Sequence, residues 1–417
     1  MDSDSGPSSW SWCRSLYLSK LCEPTYSTMT LADIALYSFF FLILSWGSKR
    51  LPFIPLLCLL LGIIWGFFGS CPDKTTLQFV ATIALVFFLF VEGAKLHIPK
   101  ILHYQSIRLP TIGLLVTLVL GVGLIKFLFP LSLKEAFIVT LPLLALDGKV
   151  ISPAFSSYLP PRITQMLNVE GSFTTLFAFF ILSLIHLSHP FHFFLGVFFP
   201  LIAGSVLGYI CGLVGKTALE CGWAQNDLFR GAFFLIPFAI FSFCELFHSN
   251  GFIGVIAAGV TFGHTGRFLC DSLFDLSRRQ APYLFYLLLI FFGIFSLHIL
   301  STMMTFTLIF FALAFLFGVR FLAVLISFQK SQFQWKTLGY FTFFSPKGLI
   351  PIAAAFLSTE FFSFTNEGLM LSIVLATTLF SLLLHPLFAY PVAMSYAQRI
   401  HRYPKAPEHF PTVSLPT

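Results

Sequence analysis

The chain has 417 residues, of which 57% are hydrophobic and only 10% charged, with 56 Phe and a mean hydropathy of +0.89. Soluble domains carry roughly a quarter charged residues, and no soluble fold of this size hides so much apolar surface, so the bilayer is the expected solvent. The net charge of +7 is spread over short loops rather than gathered into one patch, which gives no footing for nucleic acid.

Residues 1–28 are polar, with acidic residues ahead of Arg14 and Lys20 and no apolar h-region, so they read as a tail and not as a cleaved signal peptide. A spanning helix needs about 20 mostly apolar residues. Stretches of that kind run at 29–47, 52–70, 77–95, 109–129, 135–156, 166–186, 193–215, 227–247, 250–265, 280–299, 303–327, 336–358 and 368–391. The expected fold is therefore all-α and polytopic, with about thirteen transmembrane helices in one membrane domain over 29–398 and a short Pro-rich tail at 399–417.

The connections test that count. Alternate loops hold Lys49 and Arg50; Lys95, Lys100 and Arg108; Arg162; Lys216 and Arg230; Arg267, Arg278 and Arg279; Lys330 and Lys336; then Arg399, Arg402 and Lys405. The opposite loops hold only Lys74, Lys126 and Lys134. Cytoplasmic loops collect Lys and Arg, so the N-terminus is expected outside and the C-terminus in the cytoplasm.

Charges within apolar spans are expensive and mark candidate sites. They are Glu92, Asp147, Glu170 and Glu245 among the acids and Lys149, Arg320 and Lys347 among the bases. The fifth span carries Pro142, Asp147, Gly148, Lys149 and Pro153, and the twelfth carries Ser345, Pro346, Lys347, Gly348 and Pro351. Pro removes a backbone donor and Gly loosens a helix, so both spans are expected to break. Spans five and twelve occupy corresponding positions in two six-helix halves with one helix between them. Paired interruptions of this kind point to a transporter site made from half-helix ends.

Asp147 is the leading candidate, since a mid-membrane carboxylate that exchanges a proton can couple that proton to a competing cation. The alternatives are a helix-end cap or a lasting pair with Lys149. Glu170 needs a partner, because an unpaired buried charge is costly, and Lys347 at the other break is the natural one. Glu92 reads either as a snorkelling interfacial charge or as a site modulator, and Glu245 precedes a helix end and re-entry. The eight Cys lack metal or C-x-x-C spacing and read as small apolar fillers. The eleven His form no metal-like cluster.

Several stretches resemble the sodium/proton exchanger family, in its NhaP-like branch of monovalent cation:proton antiporters. They are Leu89 to Lys95, Pro161-Arg162-Ile163 running into Leu167 to Glu170, Glu245 through Gly251 to Gly263, and Ser345 to Leu349, in that order and across roughly residues 30–390. The resemblance implies a thirteen-helix fold of inverted repeats with crossing broken helices, a homodimer, and residence in the cell's inner (plasma) membrane. It implies a monovalent cation and a proton as substrates, with Asp147 as the carboxylate of the fifth-helix break; no cofactor is expected, and the lack of a nucleophile with a base, a metal cluster or a phosphate loop argues against an enzyme. It also implies a structural ion pair of Glu170 with Lys347.

The chain departs from that pattern where the branch carries Asn-Asp after the glutamate, since Thr174 and Thr175 stand there. Hydroxyl oxygens can coordinate a dehydrated cation but do not titrate near neutral pH. Lys149 and Arg320 enter as possible modulators, and Lys149 as a tethered counter-ion would silence the site. The expectation is cation:proton antiport with Asp147 exchanging the proton and Thr174 and Thr175 as oxygen ligands. The rivals are a transporter of another solute and a transport-silent membrane protein.

Overall fold

The computed structural model describes residues 54–66, 74–96, 107–147, 159–186, 190–222, 227–266, 286, 288–297, 305–329, 333–400 and 402. The expected first span and Lys149 lie outside these residues. Within them all regular structure is helical: α1 Ile54–Gly66, α2 Lys74–Lys95, α3 Leu109–Leu128, α4 Leu133–Leu144, α5 Pro161–His186, α6 Pro190–Glu220, α7 Asp227–Leu246, α8 Gly251–Thr265, α9 Leu288–Leu297, α10 Phe306–Ser327, α11 Trp335–Phe343, α12 Leu349–Phe361 and α13 Glu367–Ile400. α2, α3, α5, α6, α10 and α13 contain stretches long and apolar enough to cross a membrane.

The two spans expected to break do so. α4 opens on a capping box, in which Glu135 N–H donates to Ser132 Oγ (3.2 Å) and Ser132 N–H donates to Glu135 Oε2 (2.8 Å). The other oxygen of Glu135 accepts Thr365 N–H at 2.6 Å, which ties the start of α4 to the α12–α13 connection. Pro142 then deprives the helix of a donor near its end, and α4 stops at Leu144. The span expected over 336–358 is two helices, with α11 ending at Phe343 and α12 starting at Leu349. The stretch between them contains Pro346, which cannot donate a helical hydrogen bond.

The scaffold is packed by glycine on one side and phenylalanine on the other. α8 lies between α6 and α2, with Gly204 and Gly208 of α6 against Gly254 and Ala258, and Gly259 and Gly263 against Phe90 and Ala94 of α2. Without lipid-derived hydrophobic drive between helices, such close backbone approach supplies the packing. Elsewhere rings fill the core, as where Phe292 stacks on Phe356 with centroids 5.1 Å apart. Outward faces stay apolar: Ile202, Val206 and Val214 on α6 and Leu115 and Val119 on α3 are exposed, a surface that lipid solvates and water would not.

Candidate functional site at the crossing of two broken helices

The ends of a helix leave backbone groups without partners and carry partial charge, positive at the N-terminus and negative at the C-terminus. Buried among helices, they need partners from the protein itself. The two breaks solve this for each other. The carboxylate of Asp147, after the end of α4, accepts the N–H of Leu349 at the start of α12 (3.2 Å). The ammonium of Lys347, before the start of α12, reaches the carbonyls of Leu144 (3.4 Å) and Ala145 (3.3 Å) at the end of α4. Between them the backbones touch directly, with Asp147 N–H donating to the Pro346 carbonyl at 3.0 Å. An anion therefore sits on the positive end of one half-helix and a cation on the negative end of the other. Both side chains are buried.

A third charge completes the arrangement. Arg320 donates to both oxygens of Glu170, with the Nη2–Oε2 bond at 2.8 Å, and also to the Phe341 carbonyl near the end of α11 through Nε (3.3 Å) and Nη2 (3.2 Å). The expected Glu170–Lys347 pair is thus corrected: Glu170 is held by Arg320, and the Lys347 amine is engaged by carbonyls. A planar guanidinium fork matches a carboxylate at two points and still has a nitrogen for a carbonyl, whereas an ammonium is a point charge. Local winding also contributes, because α10 passes through a π-helical turn at Ala314–Val319 immediately before Arg320. One extra residue in a turn rotates the rest of the helix about its axis, and such bulges occur at functional sites.

Thr174 and Thr175 separate. Thr175 Oγ1 accepts Leu146 N–H (3.1 Å) and donates to the Leu146 carbonyl (3.3 Å), so it pins the frayed end of α4 to α5. Thr174 Oγ1 donates to the Glu170 carbonyl at 2.7 Å and lines a small cavity. That cavity has room for about one water. Its polar wall is Thr117, Glu170, Thr174, Arg320, Ser345 and Lys347. Asp147 and Thr175 lie beside it, not on its wall. Two cationic side chains face one carboxylate there, and that carboxylate already holds Arg320.

The remaining predicted residues are structural ties. Glu92 Oε2 accepts the Ser172 hydroxyl (2.7 Å) and Oε1 accepts Lys95 (2.6 Å), linking α2 to α5 two residues beyond Glu170. Glu245 Oε1 accepts Gly251 N–H (2.8 Å) at the start of α8, beside the Asn250 cap on Ile253 N–H (3.1 Å). In the connecting turn His248 adopts the left-handed backbone region, φ 53°.

Sequence reading named Ser345 only as part of the twelfth-span break, and passed over Thr117 on the cavity wall and Ser381 and His385 on α13. A signal existed for the last two, since Thr377, Ser381 and His385 recur every fourth residue within an apolar run. That spacing puts them on one helix face.

A family model described as "Sodium/hydrogen exchanger, transmembrane" matches residues 35–394 of this chain. A search of curated proteins finds no relative. Among solved structures, the chain is similar to the sodium proton antiporter MjNhaP1 from Methanocaldococcus jannaschii at pH 8, with a TM-score of 0.64 and 21% identity over 87% of this chain and 98% of that one. An electron-microscopy structure of the same antiporter aligns with a TM-score of 0.65 and 19% identity, covering 88% and 98%.

Proposed function

The chain belongs to the sodium/hydrogen exchanger family, and we propose that it exchanges a monovalent cation, Na+ or K+, for a proton by alternating access to the crossing of its broken helices. The observation that carries this reading is the crossing itself: a buried carboxylate and a buried ammonium each neutralise the other half-helix, beside a polar cavity at the same depth. Only half-helix ends and charge place polar groups there at tolerable cost. Asp147 holds the exchangeable proton, a cation competes with that proton, and Thr174 offers a hydroxyl oxygen from the cavity wall. Thr175, engaged on both polar groups of Leu146, serves to shape the site. The alternating basic loops support an orientation with the N-terminus outside and the C-terminus cytoplasmic, while a homodimer in the inner (plasma) membrane is carried over from the family resemblance.

The test is Asp147→Asn in proteoliposomes. Asn keeps an oxygen that accepts Leu349 N–H, so the cap survives while the titrating group is lost. Cation-driven proton movement is expected to fall at least a hundredfold with normal yield of folded protein. Flux equal to wild type would remove Asp147 from the role.

A second reading, a transport-silent member of the family, is favoured by the excess of cationic side chains on the cavity wall and by the missing Asn-Asp. Restoring it with T174N and T175D while neutralising Lys149 separates the two. Sodium flux gained only in that triple variant would mark a silenced exchanger.

A further inference from the structure

α13 runs alongside both halves of the broken α11–α12 segment. Near its C-terminal end the contact is aromatic: Tyr340 stacks on Phe344 (4.1 Å) and on Tyr396 (4.6 Å), and the hydroxyls of Thr337 and Tyr396 lie 3.1 Å apart. At the break the contact becomes polar. Lys347 N–H donates to Ser381 Oγ at 2.7 Å. His385 Nδ1 lies 3.1 Å from that same oxygen and 2.9 Å from the Ser381 carbonyl. The imidazole also meets the Phe343 ring, with centroids 5.2 Å apart.

His385 is 1% exposed, and a polar ring buried among apolar helices must offset its loss of solvation with specific bonds. Its contacts fall on the two flanks of one gap. It touches the last residue of α11 directly, and through one hydroxyl it reaches the residue that lies just before the cap of α12. In an unbroken helix the i to i−4 ladder would fix that separation; here residues 344–348 lie between the two helices, and α13 supplies the substitute. We infer that His385, through Ser381, is a positioning residue for the exchange cycle: it splints the α11–α12 break so that the Lys347 amine stays on the end of α4 and on the cavity wall.

This rests on the exchange reading, so the test has one arm that needs transport and one that does not. In the full-length protein, H385A and S381A are expected to raise the apparent KM for the driving cation about fivefold or more, with kcat within twofold of wild type. H385N places an amide nitrogen near the position of Nδ1 but gives up the Phe343 ring contact, and is expected to restore part of the loss. In detergent, hydrogen–deuterium exchange over residues 343–349 is expected to accelerate at least tenfold in H385A and S381A, and to return toward wild type in H385N. Unchanged exchange at 343–349 in both alanine variants would overturn the splint. So would accelerated exchange with an unaltered cation KM. A wild type without flux would sink the exchange reading instead, and the amide arm would still decide whether the splint exists.

Discussion

Two parts of the molecule hold helices together by opposite means. Where α8 passes between α6 and α2, side chains are removed and backbones meet: a Cβ at Gly204 would fall inside contact distance of the Gly254 carbonyl, and one at Gly263 inside that of Ala94. At the crossing, side chains are added, and three charged groups satisfy the broken ends. Close packing is stiff and tolerates one arrangement, whereas charge-to-end contacts form and release without repacking a core. On the proposed exchange reading, the first region is scaffold and the second holds the moving parts.

The largest test of that contrast is the Glu170–Arg320 pair. Arg320→Met leaves a buried carboxylate without its cation, at a cost of roughly 3–5 kcal/mol, and is expected to abolish folded protein in detergent by size-exclusion chromatography. Exchanging the partners as E170R with R320E is expected to recover part of the yield, and E170K with K347E none. Recovery by the second swap would reinstate the pairing with Lys347.

A smaller loss is expected in the seam. Gly263→Val forces a side chain onto the Ala94 backbone, and overpacking of this kind costs about 1–3 kcal/mol. Gly123→Ala in α3, where a Cβ would meet nothing within 4 Å, is expected to leave the thermal unfolding midpoint unchanged or raise it. Equal behaviour of the two variants would dissolve the idea of a close-packed scaffold.

The smallest effect belongs to Thr175. Thr175→Val removes two hydrogen bonds to Leu146, worth about 1 kcal/mol each, while Thr175→Ser keeps them. A stability loss in Val that Ser repairs fits the shaping role. A rise in cation KM for Val with no change in unfolding midpoint would return Thr175 to the ligand set.

Much of this architecture is legible in the chain. Hydropathy and the spacing of Lys and Arg give the helical membrane fold, and Pro142, Pro346 and Gly348 place both breaks to within a few residues. The hairpin between α7 and α8 is visible in Asn250-Gly251. The site is less legible. Asp147, Glu170, Arg320 and Lys347 all stand out as intramembrane charges, yet their positions alone do not say which charge meets which. Nor do they give the division of labour between neighbours: Thr174 and Thr175 are adjacent in sequence, but a helix sends them about 100° apart, one to the cavity and one to Leu146.

The sequence by itself determined that this chain lives in lipid, that two of its helices are interrupted, and that costly charges cluster at the interruptions. Those conclusions rest on local properties, namely side-chain hydropathy, the missing donor of proline and the energetic cost of an ion in hydrocarbon. Only the tertiary structure decided that Arg320 and not Lys347 holds Glu170, that Asp147 and Lys347 each close the other's helix, and that α13 braces the second break. Pairing of that kind depends on the rotation of each helix about its axis and on where a π turn shifts it. Neither is written in any single span, because they are settled by how all the helices pack at once.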